Sequence, residues 1–542
     1  MLEYDILIKN GKIIDGAGNP WYKAEVAVKD GKISAIGKLG NPDAKKTIDA
    51  SGHIVAPGFI DAHSHADYNT LLYRDMENIT HQGITTVVAG QCGSTPAPLS
   101  ELSRANMQKN FDDDTPEGYE LKLTWSSFNE YLKEEEKENV GANVAHMVGH
   151  GAVRAAAMGF EARAPTSAEL DKMRDYVAEA MQSGAFGLST GLIYPPGIYA
   201  KTDEIIECAK VAAKYGGIYD SHIRGEGATL ITALEEALEI GFKANIPVQI
   251  SHHKVAIKDL WGSSEKTLQM FMEARSKGLD VTVDQYPYKA GSTSLMTLLP
   301  PWVHDGGREK ALERLRDPEL RARMEKEIKE GIEGWENFAG SLGWENVYVT
   351  SVITDENKPV EGMNMVEIKK HRGAKDEFTA LYELLLEEEG APGMVIFYGH
   401  EDDVKRIMKH PLHMVGTDAG CCNVEGPFCK GKPHPRHYGT YPKVLGKYVR
   451  EEQLITWETA VRKMTSFPAQ RFGLLDRGLL RPGMWADITV FNPETVAELA
   501  TYKEPHSFPA GIPFVIVNGS VTITDSVFTG DRSGVTLRKT VY

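Results

Sequence analysis

Eight short apolar segments, most of them followed by a stretch with a helical pattern, dominate the middle of this 542-residue chain. They cover residues 57–62, 84–91, 143–148, 185–190, 217–222, 247–252, 279–284 and 412–417. Strands that alternate with helices form parallel βα units, and eight such units close into a barrel. We therefore predict an α/β protein whose central part, residues 57–475, is a (β/α)8 TIM-like barrel.

The two flanks of the chain have a different pattern, in which short apolar runs are separated by tight turns. Asn10-Gly11 and Asp30-Gly31 each lie between such runs and are typical of β-hairpins. Similar runs return at 483–491 and 514–519. We predict that residues 1–56 and 476–542 together form one small β-sandwich domain.

The regular spacing of strands and helices fails once, between Tyr288 and the last predicted strand. So long a connection favours an inserted subdomain over a structureless loop. We predict a lid at about 290–345. The apolar residues Leu295, Met296 and Leu298 at its start suggest that it shapes a pocket for apolar side chains.

Charge and composition exclude several classes of protein. The chain has 60 basic and 76 acidic residues, a formal net charge of −16, which disfavours nucleic acid as a partner. No apolar run is long enough to span a bilayer, and the N-terminus lacks the pattern of a secretion signal. We therefore expect a cytoplasmic protein without membrane contact. Five cysteines in a chain of this length do not make a disulfide framework.

The first predicted barrel strand leads directly into two histidines, His63 and His65. On a strand this spacing places both imidazoles on the same face, at the end of the barrel where such enzymes carry their chemistry. The alternative is a pair of surface histidines in a turn. Imidazole suits zinc and its first-row neighbours, so we expect the other strands to provide further ligands.

Three later strands end in residues that bind zinc, namely Cys92, His222 and His252. Each has a plainer interpretation, since free cysteine is a common core residue and a single histidine is often structural. Together they would form a zinc site with three protein ligands and one open position, which is the catalytic arrangement.

Asp418 ends the last predicted strand, where a carboxylate is equally suited to capping the next helix. With His63 and His65 it could hold a second, weaker metal or orient water and substrate. As a proton carrier it could take a proton from the attacking water and pass it to a leaving amine.

Nine segments, spread over nearly the whole chain, carry a resemblance to a known family. They are Gly58 to Asp67, Gly83 to Gly93, Gly187 to Gly197, Ser221 to Gly225, Ile250 to Lys254, Asp284 to Thr293, His434 to Arg436, Gly439 to Gly446 and Met464 to Gly473. In these segments the chain resembles the D-aminoacylases, the N-acyl-D-amino-acid deacylases of the amidohydrolase superfamily. The histidine pair is typical of the whole superfamily, whereas the motifs GLIYPPG and ISHHK together are specific to a much smaller group of its members.

The resemblance implies a zinc-dependent hydrolase that acts on small N-acylated D-amino acids. In that family a tightly held zinc has one cysteine and two histidine ligands, which correspond to Cys92, His222 and His252. The other implied site residues are the pair His63 and His65, the catalytic Asp418 and the substrate-binding Lys254, Tyr194, Tyr286 and Arg436. Independently, a substrate carboxylate needs cationic and hydroxyl donors, although Lys254 and Arg436 could also be ordinary surface charges.

Three other interpretations stay open at the level of sequence. A cyclic-amide hydrolase of the hydantoinase or dihydroorotase type usually bridges two metals with a carbamylated lysine, and the resemblance implies that Cys92 takes that place here. A deacylase for N-acyl-D-glutamate or D-aspartate needs an additional cation facing the pocket. A scaffold without metal typically loses some of the histidines or the aspartate.

One loop departs from the family pattern. Cys421, Cys422 and Cys429 follow Asp418 where a plainer loop is expected. They could form a disulfide, bind adventitious metal or have no role, and we favour the last.

Overall fold

Eight short parallel strands form the centre of the structure, a computed structural model that describes residues 4–40 and 42–540. The barrel strands β1 to β8 are Phe59–Asp61, Ile84–Ala89, Asn143–His146, Gly187–Gly191, Ile218–His222, Val248–Ile250, Val281–Gln285 and His413–Val415. Each overlaps one of the eight predicted segments. All eight strands are buried along their whole length, as expected where helices cover a parallel sheet.

Parallel pairing runs from β1 to β3 and from β4 to β8, and backbone hydrogen bonds join these two groups. After β3 the chain continues into Val148–Gly149, which pairs with β4. On the other side, the Ala62 N–H donates to the carbonyl of Val415 at 3.3 Å, and Ser64 forms a parallel bridge with Ala419. The predicted (β/α)8 architecture is confirmed.

Helices follow the barrel strands and cover them. They are Glu77–Thr80, Arg104–Asp114, Phe128–Glu135, His150–Met158, Ser167–Gln182, Thr202–Lys214, Leu230–Ala244, Ser264–Ser276, Glu401–Lys409, Arg436–Lys443, Val444–Glu451 (a π-helix), Trp457–Met464 and Ser466–Phe472. Among the described residues, none of these or the other helices combines the length and apolar character needed to cross a membrane.

The two flanks of the chain build a β domain of two sheets, as the sequence predicts. One sheet contains Tyr4–Lys9, Glu25–Lys29, Lys32–Gly37 and Ala44–Asp49. The other contains Lys12–Ile13, Tyr22–Lys23, Ile54–Pro57, Ile488–Phe491, Phe514–Val517, Ser520–Thr524 and Val527–Phe528. Ile54–Pro57 pairs directly with Ile488–Phe491, so the two flanks share one sheet.

The last strand does not belong to the β domain, in contrast to the predicted 476–542 boundary. Thr536–Leu537 pairs in parallel with β3, so it adds a strand beside the barrel. Arg538 then donates to both carboxylate oxygens of Glu136, at 2.6 and 2.9 Å. The end of the chain therefore fastens the β domain to the barrel.

The insertion after β7 is larger than the predicted lid of 290–345. Its first strand, Ala290–Ser294, pairs with Gly393–Phe397, which in turn pairs with Val347–Ser351. Its helices are Arg308–Arg316, Pro318–Glu330, Phe338–Leu342, Met365–Arg372 and Glu377–Glu387. Because the closing strand of this sheet ends at residue 397, the subdomain extends about fifty residues beyond the predicted end.

Candidate active site

Cys92 lies at the centre of a cluster of imidazoles at the carboxyl ends of the barrel strands. Its Sγ atom is 3.6 Å from Nδ1 of His222 and 3.5 Å from Nε2 of His252. The Nε2 atom of His63 lies 3.4 Å away on another side. Cys92 follows β2, His222 ends β5 and His252 follows β6, so the fold brings together three residues that are distant in sequence.

The electrostatics of this trio suit a metal. Burial disfavours the ionised thiol of Cys92, but the imidazoles of His63 and His252 outweigh it and hold its pKa well below the ordinary value. Burial lowers the pKa of His222, which favours the neutral form that a ligand must have. The potential ligand atoms of the trio lie within 4.8 Å of one another. A thiolate with two imidazoles is a donor set that fits zinc.

A second group of donors shares Cys92 with the first. His65 Nε2 is 3.0 Å from Oδ1 of Asp418, and His63 Nε2 is 3.5 Å from the same oxygen. These four side chains also have their potential ligand atoms within 4.8 Å of one another. The histidine pair and Asp418 therefore lie next to the trio.

Asp418 is also held by Arg436, which donates to its Oδ2 atom at 2.7 Å. Burial raises the pKa of this carboxyl, but the guanidinium and the neighbouring imidazoles outweigh burial and hold it well below its usual range. Asp418 is therefore an ionised carboxylate with one oxygen on Arg436 and the other facing the imidazoles.

Three of these residues have left-handed backbone conformations. The φ angles are 52° at Cys92, 33° at His252 and 53° at Asp418. Such a conformation is strained for residues other than glycine, typically by about 1–3 kcal/mol, and such strain clusters at functional sites. At all three positions the chain turns immediately after a barrel strand, and this turn directs the side chain toward the shared centre.

Glu226, which the sequence reading did not select, lies behind both histidines of the trio. Its Oε1 atom is 3.1 Å from Nδ1 of His252 and 4.0 Å from Nε2 of His222. Since these are the ring nitrogens that face away from Cys92, the carboxylate orients the opposite nitrogens toward the sulfur. Lys254 makes a short ion pair with the same oxygen.

Asp284 supports the site from below. It accepts a hydrogen bond from the backbone N–H of His252 at 2.7 Å, and its Oδ1 atom is 3.4 Å from Nδ1 of His63. Asp61, the one polar residue in β1, accepts from the backbone N–H of Thr417 at 2.8 Å and so links β1 to the turn after β8. Burial raises the pKa of Asp61 to about 7.

Two of the predicted substrate-binding residues lie against the aromatic ring of a third. The guanidinium of Arg436 lies 4.9 Å and the ammonium of Lys254 5.7 Å from the ring centre of Tyr286. The hydroxyl of Tyr286 is 2.7 Å from that of Tyr398, a second tyrosine that the sequence reading did not select. Tyr194 lies beside His222, with 5.0 Å between ring centres.

A cavity of about 600 Å³ lies beside the cluster. Cys92, His222, His252, Asp418 and Arg436 contribute to its walls, together with residues of the insertion. The site is therefore a cleft at the carboxyl ends of the strands, where barrel enzymes bind substrate.

Only one of the three apolar residues proposed for the pocket reaches it. Met296 lines the cavity, whereas Leu295 and Leu298 are fully buried in the apolar core of the insertion. All three residues lie in the short 3-10 helix Leu295–Leu298. In such a helix residues three apart share a face, so the two leucines lie on one face and Met296 lies on another.

All five cysteines are free thiols. Cys421, in the loop that follows Asp418, is buried in the apolar core. Cys429 donates to the carbonyl of Val424 at 3.2 Å.

Comparison with known proteins gives consistent results. Residues 46–523 match the amidohydrolase family, and residues 2–58 match the N-terminal domain of the urease alpha-subunit. The chain is 38% identical to D-aminoacylase from Alcaligenes xylosoxydans xylosoxydans over 99% of its own length and 98% of that protein's.

Two solved structures resemble the protein over their whole length. One is N-acyl-D-glutamate deacylase from Bordetella bronchiseptica, complexed with zinc and a phosphonate inhibitor, with 36% identity, a TM-score of 0.81 and 99% coverage of both chains. The other is a D-aminoacylase studied for its binuclear metal centre, with 36% identity, a TM-score of 0.82, and 99% of this chain and 100% of that chain covered. With the family match over residues 46–523, these findings establish that the chain belongs to the amidohydrolase family.

Proposed function

We propose that this protein is a zinc-dependent hydrolase that cleaves N-acyl-D-amino acids to a carboxylate and a free D-amino acid. The observation that carries this proposal is the convergence of Cys92, His222 and His252 on one point, with the Asp418 carboxylate beside them in the same cleft. The near full-length similarity to D-aminoacylase supports the substrate class and its stereochemistry.

We assign the tightly bound zinc to Cys92, His222 and His252. His63 and His65, with Cys92 and Asp418, would hold a second, weaker metal. Zinc in such a site lowers the pKa of a bound water to about 7 and polarises a carbonyl group. The chain's own contribution is a rigid donor set, since Glu226 and Asp284 fix the histidine ligands from behind.

Asp418 is assigned the role of general base and then general acid. One of its oxygens faces His63 and His65, close to the place where the attacking water must lie. Because Arg436 keeps the carboxylate ionised, it is ready to accept the water's proton at neutral pH. The same proton can pass to the amine as it leaves.

The α-carboxylate of the substrate is assigned to Lys254, Tyr286 and Arg436, with Tyr194 closing the same side. Lys254 and Arg436 already contact Glu226 and Asp418, so neither has an uncompensated charge. Each still has donors to share, and the Nε atom of Arg436 is buried without a hydrogen-bond partner. A bound carboxylate would satisfy these donors.

A neutral side chain is favoured over an acidic one. Among the described residues that line the cavity, the lysine and arginine side chains are Lys254, Arg308 and Arg436. Arg308 is neutralised by an ion pair with Asp113. Among the described lining residues, a glutamate or aspartate side chain in the substrate would therefore meet no lysine or arginine without an acidic partner.

The cyclic-amide alternative has less support. A carbamylated lysine that bridges two metals needs a lysine at the end of a barrel strand. Strand β4, Gly187–Gly191, has the sequence GLSTG and contains no lysine. The sulfur of Cys92 lies between the two donor groups instead.

The decisive experiment measures hydrolysis of paired N-acetyl-D- and N-acetyl-L-amino acids, with zinc content determined on the same sample. We expect turnover of the D-isomers of neutral amino acids and close to one tightly bound zinc per chain. Preference for the L-isomers, or turnover of hydantoins alone, would refute the proposal. A protein that carries almost no metal after purification would be a scaffold.

A further inference from the structure

The cavity has more room than a small N-acetyl amino acid needs. A volume of about 600 Å³ lies within the range of roughly 300–1,000 Å³ of pockets that enclose drug-sized molecules. The groups assigned to the amide and the carboxylate occupy only one side of it. The remaining space is on the opposite side of Cys92.

This second side, which we call the distal lobe, is lined by the connections after β2, β3 and β4. Its apolar lining residues are Pro98, Leu99, Met107, Ala152, Ala155, Phe160 and Pro196, and the connection after β2 also contributes the polar residues Ser103, Asn106, Asn110, Asp113 and Asp114. In an eight-stranded barrel β2–β4 lie opposite β6–β8, which carry Lys254, Tyr286 and Arg436. The carboxylate side and the distal lobe therefore flank the metal centre.

The distal lobe begins immediately beside Cys92. The helix His150–Met158 starts against Gly93, whose carbonyl accepts from the backbone N–H of Ala152 at 3.2 Å. Ala152 and Ala155 are three residues apart on this helix and so share a face. Because both side chains are single methyl groups, the space next to the metal centre stays open.

The insertion closes the far end of the lobe. A Cβ atom on Gly307 would lie only 3.3 Å from the side-chain amide of Asn106 and 3.7 Å from Cβ of Phe160. Beyond this contact Arg308 forms its ion pair with Asp113. The insertion therefore forms a wall at this end of the lobe.

In an N-acyl amino acid the α-carboxylate lies on the nitrogen side of the amide and the acyl carbons lie on the carbonyl side. With the carboxylate over β6–β8 and the carbonyl at the metal centre, the acyl group points toward β2–β4. We propose that the distal lobe is an acyl-binding subsite and that the preferred substrates carry an apolar acyl group longer than acetyl. This inference rests on the proposed function and deepens it.

The test compares kcat/KM for N-acetyl-, N-hexanoyl- and N-octanoyl-D-leucine. Burial of one methylene is worth roughly a fourfold gain in binding, and kcat/KM includes that gain. We expect hexanoyl to exceed acetyl by at least about tenfold. A ratio of one or less in the wild type would overturn the proposal.

Blocking variants locate the effect in the lobe. Met107→Trp should lower the hexanoyl-to-acetyl ratio by about tenfold or more, because the indole would occupy the subsite. Ala105→Trp is the matched control, since Ala105 is exposed on the same helix, and it should keep the wild-type ratio. Ala155→Leu fills the lobe from the other wall and provides a second variant if Met107→Trp does not fold.

Two results would contradict the assignment. One is an unchanged ratio in both blocking variants. The other is that a blocking variant prefers a different D-amino-acid side chain among N-acetyl substrates. That change would mean that the lobe binds the substrate's side chain and not its acyl group. Failure of the proposed function looks different, because then no N-acyl-D-leucine is hydrolysed, whatever its acyl length.

Discussion

Asp418 has two different partners, with an imidazole on one carboxylate oxygen and a guanidinium on the other. Its role is therefore separable from that of the trio around Cys92. We predict that Asp418→Ala lowers kcat by at least about a thousandfold, since general acid–base catalysis contributes typically 10²–10⁴-fold and both proton transfers would be lost. The zinc content should remain close to that of the wild type. Near-normal kcat would rule out the proton-carrier role.

Glu226 offers a test of ligand orientation. Because it faces the outer nitrogens of two histidine ligands, Glu226→Gln should weaken zinc binding by about 10–100-fold, the usual effect of losing such a partner. The measurement is zinc retention against a chelator of known affinity. Glu235→Gln, on the exposed face of the next helix, is the control. Equal retention in both variants would mean that Glu226 does not support the ligands.

Residue patterns predict part of this site and miss the rest for a physical reason. Cys92, His222, His252 and Asp418 each end or follow an apolar strand, and strand ends of a barrel meet in space. Glu226 lies in a loop beyond β5, where no periodicity fixes its direction. Asp284 is the second-last residue of β7 and begins the segment Asp284 to Thr293 that resembles the family, and this position near a strand end is a signal that could have identified it.

At the scale of elements, the helix Trp457–Met464 docks on β8 through a buried lysine. Lys463 donates to the backbone carbonyl of His413 at 3.1 Å and is only 2% exposed. Burial lowers its pKa from the ordinary 10.5 to about 7. The unfolded chain, with the ordinary pKa, therefore binds more protons than the folded protein between these values, and stability rises with pH in that window.

We predict that Lys463→Met removes this dependence. The Tm of the wild type relative to the variant should increase as the pH is raised from about 7 to about 10, which is measured by thermal unfolding at several pH values. The control is Lys409→Met, at an exposed position of the neighbouring helix, and its Tm should change with pH in the same way as that of the wild type. A constant difference between wild type and Lys463→Met would contradict the shifted pKa.

The barrel elements were predictable and the extent of the insertion was not. Each barrel strand is a local apolar run between helices, so its position is encoded within a few residues. The end of the insertion depends on the antiparallel pairing of Ala290–Ser294 with Gly393–Phe397. Pairing between segments so distant in sequence leaves no local pattern, and the predicted lid therefore stopped too early.

At the scale of the whole molecule, the C-terminal strand connects the β domain to the barrel. Thr536 donates through its hydroxyl to the buried carboxylate of Glu135 at 2.7 Å, and His146 contacts the same carboxylate oxygen. Thr536→Val should destabilise the fold by about 1–3 kcal/mol, because a buried carboxylate loses a donor.

Thermal unfolding would measure this loss, with Thr540→Val at an exposed position as the control. The kcat/KM of the folded variant should stay near the wild-type value, since Glu135 does not line the cavity. An unchanged Tm would mean that the strand contributes little to stability.

The pairing of Ile54–Pro57 with Ile488–Phe491 affects how the protein is made. At about 5–20 residues per second, a ribosome needs roughly 20–90 s to synthesise the intervening chain. During that time the strand edge of Ile54–Pro57 that later pairs with Ile488–Phe491 is unpaired, and it could pair with another nascent chain. Slow elongation at low temperature prolongs this exposure, so chaperone supply during expression should affect the yield of folded protein.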